Sequence, residues 1–223
     1  MSNNIQMQTC RGRCAIYISM GHSKASKENT HARLVAAAAA RFKERGVDGI
    51  SLSDLMKDLK LTHGGFYRHF DSRDELVTEA LDLALTQSAA TVRERLFGGD
   101  EPDLSRFVDF YLADAHREGR ADGCAVAALA GDAPRKSAAV QAQFRAHIES
   151  NLKSVAEALA PGGTAEDRRS SALMVLSALY GALMMARAVG DSPLSREILR
   201  TARQRIPALG GRSFPKKKTR NPH

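Results

Sequence analysis

Tryptophan is absent from these 223 residues, and aromatic residues make up only 5% of them. β-branched runs are rare while Ala is abundant, a balance that favours helix over strand. The three cysteines, Cys10, Cys14 and Cys124, are too few for a disulfide framework, so a reducing cytoplasm is the expected compartment. The two thiols of C-R-G-R-C have no partners at ligand spacing, and no run of carboxylates occurs, so neither metal nor cofactor is expected. No Gly-rich phosphate loop is present. Cys124 with His116 or His147 is the only thiol–imidazole combination to weigh, and nothing orients either base, which argues against an enzyme. The apolar run Cys14–Met20 is too short and too interrupted for a signal peptide. The longest charge-free run, Ser170–Ala186, is 17 residues and contains Ser170, Ser171, Ser177, Tyr180 and Gly181. A membrane span needs about 20 mostly apolar residues. The run reads instead as a helix buried on two sides, with no membrane partner.

What the chain does have is charge, unevenly placed. Hydrophobic content of 43% and charged content of 26% are ordinary for a globular protein. The net charge of +8 divides into +3 over residues 1–80, −3 over 81–195 and +8 over 196–223. The basic character therefore lies mostly in the tail, including K-K-K-T-R from Lys216, and is weak support for a DNA-binding surface on its own.

A stronger signal runs from Ile50 to Phe70. Ser51 is placed to N-cap a helix with Asp54 three residues on, and Leu52, Leu55, Met56 and Leu59 form its apolar face. Lys60 and Leu61 break the pattern. Thr62 is a second N-cap, and His63 to Phe70 make barely two turns. So short a helix must be held by packing, for which Phe66 and Phe70, four residues apart, are suited. The outer face carries His63, Gly64, Tyr67 and Arg68, in the place from which a helix-turn-helix reads base edges. Gly64 and Gly65 each cost helix propensity of about 1 kcal/mol, and permit close approach of backbone to a neighbouring helix or phosphate.

The stretch T-H-G-G-F-Y-R-H-F-D-S-R-D-E-L resembles the recognition helix and following helix start of the tetracycline-repressor (TetR) family. Thr62, Gly64, Phe66, Tyr67, His69, Phe70, Ser72 and Leu76 fit its pattern. Arg73 replaces a common Lys, and Lys60 stands where the family often has Gly, at a position that calls for positive φ. The resemblance is specific over about residues 30–80. It implies an all-α protein of about nine helices: an N-terminal three-helix helix-turn-helix DNA-binding domain and a larger C-terminal helical ligand and dimerisation domain. It implies double-stranded DNA with a palindromic operator as partner, a homodimer and a small-molecule effector. In the family, the residues matching Tyr67 and Arg73 touch the DNA backbone. The DNA-binding set is therefore Lys24, Thr62, His63, Gly64, Gly65, Tyr67, Arg68, His69 and Arg73. His63 and Arg68 are the base readers, Arg to guanine in particular; Lys24 and Arg73 go to phosphates.

Along the chain, residues 1–26 read as a disordered arm, 27–74 as the DNA-binding domain, 75–207 as a regulatory and dimerisation domain, and 208–223 as a basic tail. The first helix is expected from Asn29 or Thr30 to Arg45, and a long one from Ser72 to about Phe97. Leu104–His116, Cys124–Gly131, Ser137–Ala160, Thr164–Val189 and a last helix from Leu194 or Ser195 to Ile206 follow. The interior of the second domain is the expected site for a small, largely apolar or aromatic ligand, among Phe107, Tyr111, Cys124, Phe144, His147, Met174, Tyr180 and Met184. The last helix pair, one member apolar all round, needs cover from a second copy, with Leu176, Leu179, Leu183, Leu199 and Ala202 at that interface. The leading function is a sequence-specific transcriptional repressor released by its ligand. The alternatives are a redox- or electrophile-sensing regulator acting through Cys124, or a non-specific nucleic-acid binder driven by the tail.

Overall fold

A computed structural model describes residues 24–159 and 163–210, without the side chains of Lys24, Ala25 and His63. Ten α-helices and no strand occur among the described residues. Three make the head: α1 (Lys24–Arg45), α2 (Leu52–Asp58) and α3 (His63–Phe66). The long α4 (Arg73–Phe97) leaves it. Then come α5 (Leu104–Tyr111), α6 (Asp114–Glu118), α7 (Ala125–Leu129), α8 (Ala138–Ala158), α9 (Ala165–Ala188) and α10 (Pro193–Arg205).

The caps fall where the residue chemistry puts them. Ser51, Thr62, Ser72 and Ser137 each accept from the backbone N–H three residues on, and Thr164 with Asp167 completes a reciprocal capping box. Lys60 has φ of 56°, so a lysine occupies the left-handed turn between α2 and α3. Two expectations are corrected. Helix α1 begins at Lys24, so residues 24–26 are helical and not arm; Thr30 Oγ1 donates to the Ser26 carbonyl and ties that first turn. The single helix expected over Leu104–His116 is two, α5 and α6. The imidazole Nδ1 of His116 takes the Tyr111 carbonyl at 2.6 Å, replacing the backbone N–H that would have continued the helix.

Helix α4 packs against α1 on one side of the molecule and against α5, α7 and α8 further along. Its buried residues run the whole length, from Leu76 and Leu81 to Leu96, and make one core continuous between head and regulatory domain. Helix α9 is long and apolar enough to cross a membrane by length and composition. It packs against α7, α8 and α10, and buries Ala172, Val175, Leu176, Leu179, Leu183 and Ala186.

Candidate nucleic-acid interface and interior cavity

The turn and short helix of the head are held from inside. Phe66 and Phe70 are buried and stack at 5.3 Å, His31 of α1 stacks on Phe70 at 4.4 Å, and His31 Nε2 meets Glu79 of α4 at 2.7 Å. With that face anchored, the opposite one turns outward. Thr62, Gly64 and Arg68 are exposed and Tyr67 is 60% exposed, braced edge-on against Phe66. A Cβ on Gly64 would meet nothing within 4 Å, so no neighbouring helix of this chain requires a glycine there. Gly65 is half-buried and donates to Thr62 Oγ1 at 3.2 Å.

Beside this face lies a cleft of about 580 Å³ lined by Lys27, Lys60, Thr62, Gly65, Arg68 and His69 among others, with no acidic residue among the described lining. Lys60 lines this cleft and was not among the DNA-binding residues singled out from the sequence; its signal was its place in the turn beside Thr62. His69 turns partly inward instead of facing out. Its Nδ1 is buried without a partner, and burial, with His31, Lys27 and Arg68 nearby, lowers its pKa and keeps the ring neutral. Arg73 is also placed differently from a phosphate clamp. Its Nη2 donates to the Val47 carbonyl at 2.5 Å and to that of Ile50 at 3.2 Å, and Nη1 lies 3.7 Å from Asp48. The side chains of Lys24 and His63 lie outside the described residues, as do Cys10, Cys14 and the tail from Lys216.

In the regulatory domain the structure brings Phe107, Tyr111 and Cys124 together around a cavity of about 30 Å³, joined by Ser88, Phe110, His116 and Asp122, which the sequence reading left out of the ligand set. His116 is fixed in one tautomer: Nδ1–H donates to the Tyr111 carbonyl, and Nε2 accepts from the Cys124 backbone N–H at 3.0 Å. Burial lowers its pKa, so the ring is neutral. Tyr180 stands 6.1 Å from Tyr111 and accepts from Asn151 at 3.1 Å; Asn151 also donates to His147 Nε2 at 3.0 Å. Burial holds His147 at about 4, neutral at physiological pH. Phe144 is a core residue of α8.

Two further expectations fail. Met174 and Met184, expected inside, are 49% and 43% exposed on α9. Leu176, Leu179, Leu183 and Leu199, expected at a dimer surface, are buried within the chain, and Ala202 is half-buried. A helix apolar on every side does not announce which face its own chain covers. The face left open carries Leu173, Met174, Met184, Met185 and Val189, continued by Leu194 of α10.

A basic outward face on a two-helix turn, mounted on a helical domain with an interior cavity, defines a helix-turn-helix transcription regulator. Residues 34–80 match the family model described as bacterial regulatory proteins, tetR family, and residues 103–203 the one described as transcriptional regulator LmrA/YxaF-like, C-terminal domain. An uncharacterised HTH-type transcriptional regulator of Mycobacterium tuberculosis is 30% identical over 166 residues, 71% of this chain and 84% of that protein. An HTH-type transcriptional repressor of the same species is 38% identical over 56 residues, 25% of this chain and 30% of that protein. A TetR transcriptional regulator from Chloroflexus aurantiacus superposes with a TM-score of 0.70 at 25% identity, over 82% of this chain and 95% of that one. The chain belongs to the tetR family of bacterial regulatory proteins, a family of DNA-binding regulators and not of enzymes.

Proposed function

We propose that this regulator is a cytoplasmic homodimeric repressor that binds a palindromic operator and is released by a small molecule held in the regulatory domain. The observation that carries the reading is the exposed set Thr62, Gly64, Tyr67 and Arg68 beside a cleft that adds Lys27 and Lys60 and has no described acidic lining. Arg68 reads a base edge, guanine by preference; Lys27 and Lys60 neutralise phosphates. The open apolar face of α9, with Leu173, Met174, Met184 and Met185, is where a second copy packs through a two-fold axis. Gly181 supports close approach there, since a Cβ at that position would meet nothing within 4 Å. Two heads so related read half-sites about one helical turn, ~34 Å, apart or a multiple of it. Repression is favoured by the likeness to the M. tuberculosis repressor, which covers a quarter of this chain.

The test is selection of duplexes from a random pool by the purified protein at near-physiological salt, followed by sequencing. Enrichment of a palindrome that Arg68→Ala abolishes supports a sequence-specific dimeric regulator. Binding that fades with salt and enriches nothing favours the non-specific reading instead.

A further inference from the structure

The interior cavity has one donor to spare on its wall and a second behind it. Tyr111 is 1% exposed, and its hydroxyl makes no hydrogen bond of good geometry among the described residues, with only the Cys124 thiol, a weak partner, beside it. Such a group costs stability unless something completes it. Arg187 of α9 is fixed by two bonds, Nε to the Arg117 carbonyl at 3.1 Å and Nη2 to the His116 carbonyl at 2.7 Å, which leaves Nη1 buried and unpaired. Its guanidinium stands behind the cavity wall: a Cβ on Gly123, a lining residue, would lie 3.0 Å from Arg187 Nη2. Arg187 lies close to Tyr111 and Cys124, and Lys43 of α1 lies close to Asp122 and Cys124. His116 contributes no spare donor, because both ring nitrogens are used. The remaining wall is chiefly Phe107, Phe110 and Val92, with the Cys124 thiol and two hydroxyls, of which Ser88 Oγ accepts from the Ala125 N–H and Thr91 Oγ1 donates to the Gln87 carbonyl.

Resting on the effector-controlled reading above, we propose that the cavity takes a small aromatic carboxylate whose oxygens accept from the Tyr111 hydroxyl and the Arg187 guanidinium. An anion satisfies both orphaned donors and lies near two cations, Lys43 and Arg187, against one carboxylate, Asp122. A cationic amine would meet like charge, and a neutral amide would forgo the charge-assisted bonds. The ring lies against Phe107 and Phe110. About 30 Å³ is the share of one water in the liquid, so the occupant enters by displacing side chains. Phe110 is the residue placed to yield: it is half-buried at the rim, with Arg95 4.2 Å above its ring and His116 stacked at 5.8 Å.

The full chain is titrated calorimetrically with sodium benzoate and sodium cinnamate, and with benzamide and benzylamine as neutral and cationic counterparts. The carboxylates are expected to bind, benzamide at least roughly tenfold more weakly and benzylamine not at all; a tenfold loss is also expected on Tyr111→Phe and on Arg187→Gln. Tyr111→Phe removes only a hydroxyl without a good partner, so it keeps the test valid even if Arg187→Gln folds poorly. Equal affinity for benzamide, unchanged affinity in Tyr111→Phe, or no binding of either carboxylate at millimolar concentration overturns the proposal. Release from a selected duplex by neutral aromatics alone would retain effector control and remove the anion. Failure to select any duplex would remove the regulator reading, while the calorimetric result stands on its own.

Discussion

Arg73→Ala distinguishes two roles for one cation. If the guanidinium works as the structure places it, at the first turn of α4, it clasps the loop between α1 and α2 by donating to the carbonyls of Val47 and Ile50. Hydrogen bonds from a charged donor contribute about 1.5–3 kcal/mol each when buried. The Arg73 side chain is 35% exposed, so water substitutes for part of both. Asp48, 65% exposed and paired with Lys136 at 2.7 Å, gives the ion pair little weight. A loss of about 2 kcal/mol is therefore expected. For a chain of this size that lowers Tm by roughly 4–8 °C. The assay pairs a thermal melt with operator affinity measured across a salt series. A clasp gives a lower Tm and an unchanged salt slope. An unchanged melt, with the slope of log K against log salt reduced by about one, would refute the clasp and restore Arg73 to a phosphate.

Three further outcomes are expected. Gly64→Ala should leave the melt unchanged or raise it by about 0.5–1 kcal/mol, since the added Cβ meets nothing and helix propensity improves, while operator affinity falls because the methyl blocks backbone approach to DNA; wild-type affinity in this variant would show that no such approach is made. His147 is neutral in both folded and unfolded chains above about pH 6.5. Below that the unfolded chain takes a proton that the folded one, held at about 4, refuses, so stability should decline by about 1.4 kcal/mol per pH unit down to pH 4. Denaturant titrations of His147→Leu at pH 7 and pH 4.5 should show the smaller difference, and a difference equal to wild type would sink the assignment. Met185→Glu, at a position 55% exposed, should dissociate the dimer in sedimentation with little change in the monomer's helicity, whereas an intact dimer would place the interface elsewhere.

The head was readable in the sequence because its information is local. Cap residues, the i, i+4 pair Phe66 and Phe70, and a turn residue each constrain a few neighbouring φ and ψ angles. At Lys60 the residues showed only that the helical pattern breaks; the family resemblance implied a left-handed residue there, and φ is 56°. The regulatory domain was readable as helices but not as faces. Leu176 and Met174 are equally apolar in sequence, yet one is 3% and the other 49% exposed, because the difference is set by where α7, α8 and α10 lie. The cavity was half legible for the same reason. Tyr111 and Cys124 stood out by chemistry, but Arg187 and Lys43 join them only through the packing of α9 and α1, and no short-range pattern reports that. The break after Tyr111 carries no Gly or Pro; it comes from a His116 side chain competing for a carbonyl, a competition visible only once the two are in place.

The same packing bears on how an occupant of the cavity would act on DNA. Helix α1 belongs to the head, yet it packs against α7, and its Lys43 is 6% exposed and lies close to Asp122 and Cys124. A few residues on, the loop after α1 is tied to the regulatory domain again: Val47 N–H donates to Asp132 at 3.2 Å, and Lys136 holds Asp48. The head thus packs directly on α7, whose N-cap Cys124 lines the cavity, with no long chain of intermediates between them. Cores at native density do not absorb added volume locally. A ligand much larger than 30 Å³ that separates α5 from α7 must either move α7 along α1 or strain the Asp132 tether, and both change the angle of the head. In a dimer that angle sets the spacing of two recognition helices, so a small rotation at each copy is enough to lose the fit to both half-sites at once.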